Sequence, residues 1–330
     1  MKDVLRIGFY GGGIEAFTVL ESLIREPDFD IAFVHARYPD GPVASQFAPR
    51  HGVDVMPFAN INEPGALTYV RDAKIDVLAS LNCKQIFRSE LLSIPPLGAI
   101  NMHDGLLPRQ RGGGGTFIGL VNGEPMGTTI HYIDDGIDTG DVILQQEVEM
   151  PSDARLSYFQ ERIVEIAPAM FKTALRQIRM GCVWRRQQKH SPYYYVPTKA
   201  PWDELIDWSL DTTSILDRVR GRTPGPTNFY ICDGKIFYVL EVEAESKLVA
   251  FRNTVGQVIE RRVEKGVLVK TGDTGLWITK IRTEDGEVKV PTHPLGAVLC
   301  QNLHKEIYDM KQRLEALESE RRGKMPEISS

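Results

Sequence analysis

Two short stretches of the chain hold side chains able to move protons and to stabilise negative charge. The apolar run Leu97 to Asn101 ends in Asn101 and His103, which stand at i and i+2 and so face one side of any strand that continues through them. Further on, the alternating run Thr128 to Ile133 empties into DDGIDTGD, a turn-rich segment that carries Asp134, Asp135, Asp138 and Asp141. A histidine can carry charge near neutrality. A carboxylate beside it fixes one tautomer and favours the charged ring. A carboxamide donates a hydrogen bond to an oxygen that is gaining charge. At the ends of neighbouring strands these groups would protonate or stabilise a developing oxyanion. Taken singly each has a plainer role: Asn101 as a strand-end cap, His103 as a satisfied structural histidine, and any of the four acids as a turn former.

The elements that must position these groups read as alternating strands and helices. Leu5 to Tyr10 alternates, passes through Gly11-Gly12-Gly13 and enters a helical run, Ile14 to Ile24. Strands are expected over Ile31 to Ala36, Val53 to Phe58, Ile75 to Leu81 and Leu97 to Asn101, with helical stretches over Val43 to His51 and Ala66 to Asp72. This order predicts an α/β fold with a doubly wound, mostly parallel sheet. Ligands of such sheets bind at the carboxyl ends of the strands, where Asn101 and His103 fall. After them come Pro108, the run Gly112 to Gly115 and a helical stretch, Thr116 to Asn122. Thr128 to Ile133 and Val142 to Met150 suit an antiparallel pair around the acidic turn, and Leu156 to Met180 reads as one long helix.

The segment PYYYVPTKAP, with prolines at 192, 197 and 201, cannot sit inside a helix and closes the first domain. Tyr193, Tyr194 and Tyr195 there either line a substrate cleft or anchor a linker. Beyond it a helix, Thr212 to Arg220, leads into strands near Val249, Val258, Val267 and Leu276, with Asp233-Gly234 as a hairpin turn. The expected organisation is a catalytic domain over 1–190, a linker over 191–205, a smaller β-rich, OB-like domain over 206–297, and a C-terminal helix and tail over 298–330. Leu303, Ile307, Met310, Leu314 and Leu317 form a narrow apolar stripe on that helix, which suits a homodimer seam or packing on its own domain equally.

At 330 residues, 42% hydrophobic and 25% charged, the chain suits a two-domain globular protein. Its net charge of −5 argues against a polyanionic partner held by bulk charge. Cys83, Cys182, Cys232 and Cys300 show no C-x-x-C spacing, so neither a disulfide framework nor a metal site is expected, and a cytoplasmic location fits. The N-terminus enters a strand with no signal-like apolar region, and no stretch approaches the roughly 20 apolar residues of a membrane span.

The run Asn101-x-His103-x-x-Leu106-Leu107-Pro108-x-x-x-Gly112, with Asp138-x-Gly140 downstream, resembles the signature of the folate-dependent formyltransferases. That family includes enzymes acting on methionyl-tRNA, on glycinamide ribonucleotide and on nucleotide-linked amino sugars. The resemblance implies a Rossmann-like core and 10-formyltetrahydrofolate as the formyl donor. It implies Asn101, His103 and Asp138 as the catalytic trio, with Asp138 charging His103 and helping remove the amine proton. It also implies folate contacts from Leu106, Leu107, Pro108, Gly112 and Asp138. Where the family usually has Ser two residues after the histidine, this chain has Gly105, and the glycine run replaces the usual G-A-A-P. The domain plan is similar to that of the methionyl-tRNA enzymes, down to IDW, a helix and RGRTPGP.

The acceptor is read from charge. A tRNA substrate calls for a basic loop early in the first domain, whereas Ala36 to Pro49 holds Arg37 and no lysine. A small-molecule amine, most simply an amine on a sugar nucleotide, is the expected acceptor, with Arg109, Arg111, Tyr193 and Tyr194 as its candidate contacts. No nucleic acid and no membrane are expected as partners. Two signals point elsewhere. Gly11-x-Gly13-x-x-Ala16 imitates a dinucleotide fingerprint, and Arg37 would suit the 2′-phosphate of NADP. Arg218, Arg220 and Arg222 form a basic cluster for an acidic group or a solvated helix end. His131 and Lys84 read as a packed strand residue and a solvated lysine.

Overall fold

The structure, a computed structural model, describes residues 4–151, 154–188, 204–221, 228–245, 250–299 and Leu314. The chain divides into two compact units, Met1–Ala200 and Pro201–Ser330. In the first unit the order is β1 (Leu5–Gly11), α1 (Gly13–Leu23), β2 (Phe29–Ala36), a short π-helix (Val43–Phe47), α2 (Ala48–His51), β3 (Asp54–Val55), α3 (Pro64–Asp72), β4 (Val77–Leu81) and α4 (Ser89–Leu92). It continues through β5 (Ala99–His103), α5 (Gly115–Val121), β6 (Met126–Tyr132), β7 (Val142–Val148) and α6 (Leu156–Met180).

These strands form one sheet in the order β3-β2-β1-β4-β5-β6-β7, parallel from β3 to β5 and antiparallel from β5 to β7. Strands β1 and β4 are buried almost throughout, as they must be when helices cover both faces. One face packs with α1 and α6 around Phe9, Val19, Ile100 and Phe171. The other packs with α3 and α4 around Phe33, Val70, Leu78 and Leu91. In α6 the buried residues Phe159, Ile163, Ala167, Met170, Ala174 and Ile178 recur at steps of three and four, one stripe of a helix. The helix runs through Pro168 and stops at Gly181, whose φ of 67° is left-handed and cheap for glycine.

Three expectations need correction. The strand read over Val53 to Phe58 is only Asp54–Val55, an edge segment with both residues exposed. The helix read over Val43 to His51 begins as a π-helix before the α-helical turn Ala48–His51. The strand read as Leu97 to Asn101 starts two residues later, because Gly98 turns with φ of +86° and Leu97 stays outside. The shift places His103 inside the strand.

The second unit holds α7 (Thr212–Gly221), β8 (Phe229–Cys232), β9 (Lys235–Ala244), β10 (Val258–Arg262), β11 (Gly266–Lys270), β12 (Gly275–Thr283) and β13 (Val288–Lys289). The sheet order is β10-β11-β12-β9-β8, with β13 on β12, and the pairings between these strands are antiparallel, while Leu205 adds an isolated parallel bridge to Phe229. Asp233 and Gly234, at φ 50° and 76°, make the expected tight hairpin between β8 and β9. Trp208, Tyr230, Val269, Ile278 and Leu299 form its core. The strand expected near Val249 and all of the apolar stripe except Leu314 lie outside the described residues.

Candidate functional site

The carboxyl end of β5 carries Asn101 and His103 on one face, while Ile100 and Met102 enter the core. This is the period-two alternation of a strand. Antiparallel pairing sets Asn101 directly opposite His131 of β6 and His103 opposite Thr129. Beyond β6 the acidic turn folds back, and Asp138 reaches both histidines. Its Oδ2 lies 3.4 Å from His103 Nδ1 and its Oδ1 lies 3.6 Å from His131 Nε2. Asp138 holds a left-handed φ of 55°, and Gly140 stands where a Cβ would lie 1.9 Å from the Tyr132 carbonyl oxygen. That contact is the physical need behind the D-x-G spacing. Asp134 is used within the turn, accepting from Gly136 N at 3.1 Å and Thr139 Oγ1 at 2.6 Å.

His131 completes the arrangement, and the sequence did not single it out. Its Nδ1 donates to the Tyr132 carbonyl at 2.7 Å, so its Nε2 carries a lone pair. That lone pair faces the Asn101 amide Nδ2 at 3.4 Å, which defines the amide's orientation. Burial, then the neighbouring His103, pull the His131 pKa down to about 4, against the opposing pull of Asp138. His131 is therefore a neutral acceptor at ordinary pH. Its one sequence signal was a histidine in the strand directly preceding the acidic turn.

His103 has an acceptor at each ring nitrogen: Asp138 at Nδ1 and the Gln110 carbonyl oxygen at Nε2, 2.7 Å away. Only the Nε2 contact is a hydrogen bond, donated by Nε2–H to the carbonyl, while Asp138 stands 3.4 Å from Nδ1. Gly105 makes this possible, since a Cβ there would lie 2.9 Å from His103 Nε2 and 3.1 Å from Gln110 Cβ. The departure from the family's serine thus has a local cause. Gln110 is nearly buried at 5% exposure, and its side chain ties Leu106 N, Glu124 and the Pro125 carbonyl. A Cβ on Gly115 would stand 1.9 Å from the Gln110 carbonyl oxygen, so the glycine run closes first on its own loop.

The remaining loop residues fasten this segment to the acidic turn. Gly112 N donates to Asp138 Oδ2 at 2.8 Å. Arg111 donates through Nε and Nη2 to Gln188 Oε1 at 3.1 and 2.7 Å, and Gln188 Nε2 donates to the Asp138 and Gly140 carbonyls at 2.9 and 2.7 Å. Gln188 is a second residue that sequence reasoning missed, because a glutamine in a polar stretch has no pattern. Leu107 is buried, with its N–H on Thr129 Oγ1 and its carbonyl on Gln145. Leu106, Pro108 and Arg109 are half-buried on the same loop.

Other candidates fall elsewhere. Tyr193, Tyr194, Tyr195 and Arg222 lie outside the described residues. Arg220 pairs with Asp217 within α7. Lys84 is exposed after β4. Arg37 turns across the first glycine turn, donating to the Asn82 carbonyl at 3.1 Å and to Asn82 Oδ1, and lies 4.7 Å from the Tyr38 ring centroid.

Comparison with known proteins points to one family. A model of the formyl transferase family matches residues 44–175, and one of the formyl transferase C-terminal domain matches residues 200–291. The methionyl-tRNA formyltransferase of Fusobacterium nucleatum is 27% identical over 291 residues, covering 85% of this chain and 93% of the relative. HypX from Aquifex aeolicus, solved with tetrahydrofolic acid, superposes with a TM-score of 0.59 at 17% identity, covering 90% of this chain and 51% of HypX. WlaRD, a sugar 3N-formyl transferase solved with dTDP and 5-N-formyl-THF, gives 0.60 at 15% identity, covering 87% of this chain and 100% of WlaRD.

The fold and the matches define an N-formyltransferase with a Rossmann-like core and a β-rich C-terminal domain. The matches over residues 44–175 and 200–291 together cover more than half of the chain, which belongs to the formyl transferase family. The Asn101 amide and the His103 ring are groups able to donate hydrogen bonds to a carbonyl oxygen. The nicotinamide alternative gains no support, since the matched proteins are formyltransferases and Arg37 is held on Asn82. Among the described residues, no helix is long and apolar enough to cross a membrane.

Proposed function

We propose that this chain formylates the primary amine of a nucleotide-linked amino sugar, with Asn101, His103 and Asp138 as its catalytic residues. The observation that carries the roles is the convergence of Asn101, His103, His131 and Asp138 at the ends of β5 and β6. 10-formyltetrahydrofolate supplies a formyl group already activated on nitrogen. Asn101, its amide oriented by His131, donates to the formyl oxygen as charge develops there. His103 gives the second hydrogen bond by turning from the Gln110 carbonyl, and Asp138, 3.4 Å from its Nδ1, holds the ring aligned.

Charge supports a small acceptor. Arg37, the one cation between Ala36 and Pro49, is turned onto Asn82, and Arg50 just beyond is paired with Glu21. Little positive surface is left there for an acceptor stem. The curated relatives named as methionyl-tRNA formyltransferases favour aminoacyl-tRNA as the second reading. In the proposed reading the enzyme works in the cytoplasm and pairs through the Leu303–Leu317 stripe.

His103→Ala and Asp138→Asn test the roles. Each is expected to cut the transfer rate roughly a hundredfold to a thousandfold, while calorimetry shows folate binding nearly unchanged. Turnover close to that of the parent in either variant would refute the mechanism.

A further inference from the structure

The parallel part of the sheet reverses its winding between β1 and β4, and open α/β sheets bind ligands outside the carboxyl ends of the strands at that point. Two carboxylates follow strands on either side of this point in the sheet. Glu15 stands in the first turn of α1, directly beyond the glycine turn at the end of β1. Asp104 follows His103 at the end of β5, on the far side of β4. Asn82, at the end of β4 between them, reaches Gly12 with its amide. Asp104 Oδ1 is buried and has no hydrogen-bond partner among the described residues. The charges of His103 and Glu15 both bear on it. A buried, unpaired carboxylate oxygen one residue from the catalytic histidine calls for an explanation. Asp138, by contrast, already accepts from Gly112 at the oxygen that faces His103.

We propose that Asp104 is a catalytic residue that takes the proton from the acceptor's primary ammonium, which enters between Asp104 and Glu15. This rests on the formyl-transfer reading above and replaces Asp138 as the destination of that proton. One ammonium proton passes to the Asp104 carboxylate and leaves a free amine. The amine lone pair forms the new C–N bond as the formyl C=O pair moves onto oxygen. When the carbonyl re-forms, the bond from the formyl carbon to the donor nitrogen breaks. That nitrogen takes the second amine proton, and Asp104 releases the first to water. Burial pushes the Asp104 carboxyl up to about 6, with the His103 charge pulling the other way and Glu15 adding to the rise. A base of that strength is suited to work near neutrality.

The test uses the full chain, 10-formyltetrahydrofolate and a panel of nucleotide-linked amino sugars and simple aliphatic diamines. Asp104→Asn is expected to lower kcat/KM about a hundredfold to ten-thousandfold. It should also remove the limb of the pH profile that rises through pH 6, with an unchanged melting temperature, and Asp104→Glu should restore part of the rate. Glu15→Gln should raise KM with kcat nearly constant. Independently, carbon-13 NMR of aspartate-labelled protein with 5-formyltetrahydrofolate should show one carboxyl titrating near pH 6 that vanishes in Asp104→Asn. Parent-like rate and pH limb in Asp104→Asn, or an ordinary carboxylate titration at Asp104, would overturn the proposal. Activity of the parent on a diamine but on no sugar nucleotide, still lost in Asp104→Asn, would sink the amino-sugar acceptor and leave Asp104 in its role.

Discussion

His131 shows how one buried side chain links the site to stability. Held neutral in the fold with a pKa pulled to about 4, it binds fewer protons there than in the unfolded chain, where histidine titrates near its ordinary value. Between these two values the unfolded state takes up the extra proton, so stability is full above about pH 6.5 and falls as pH drops toward 4. The contribution is up to about 3 kcal/mol. His131→Gln should flatten the pH dependence of the urea midpoint over that window, and an unchanged slope would show that His131 is not held neutral. Asn101, His103 and Asp138 were legible because their types, their i and i+2 placement and the D-x-G spacing form a pattern. His131 was not, since a histidine in an alternating strand looks like packing until the register sets it against Asn101. Gln110 and Gln188 act through backbone carbonyls and the loop amide, contacts that residue type does not announce.

Between elements, the acidic turn after β6 and the glycine loop after β5 depend on each other through Arg111 and Gln188. Gln188→Ala should lower kcat about tenfold, about 1.4 kcal/mol in the barrier, with little change in folate affinity. Equal kcat with weaker folate binding would mean that the clamp serves the donor and not Asp138. In α6, Phe171 is fully buried and packs 6.1 Å from Phe9 between ring centroids. Phe171→Ala should destabilise the first unit by about 3–5 kcal/mol, measured by urea unfolding, and a loss under about 1 kcal/mol would contradict that packing. The long periods were easy to read: α6 spans Leu156–Met180, as its apolar stripe predicts. Short edge segments were not. Asp54–Val55 is set by pairing with β2, and the start of β5 is set by the left-handed Gly98, neither of which hydrophobicity alone reveals.

For the whole molecule, the two-unit plan was readable from the proline-rich break and the change from alternating strand and helix to short strands. Its C-terminal limit was not. Leu299 is fully buried in the second core and its N–H donates to the Gly256 carbonyl at 2.8 Å, so the β-rich unit extends past the limit of 297 expected from sequence. A truncation meant to isolate the apolar stripe belongs after Leu299. It should give an active monomer by light scattering, and an unchanged oligomer would reject the dimer seam. The acceptor is the claim on which the whole account turns, because the overall charge of −5 and the tied-down Arg37 speak for a small amine while the curated relatives act on methionyl-tRNA. The direct measurement is transfer of labelled formyl from 10-formyltetrahydrofolate by the full chain, with nucleotide-linked amino sugars and charged initiator tRNA assayed side by side. A formylated sugar nucleotide at a turnover of roughly 1 to 1000 per second, and no labelled tRNA, is the expected result. Labelled tRNA at such a rate, with the sugars untouched, would contradict it.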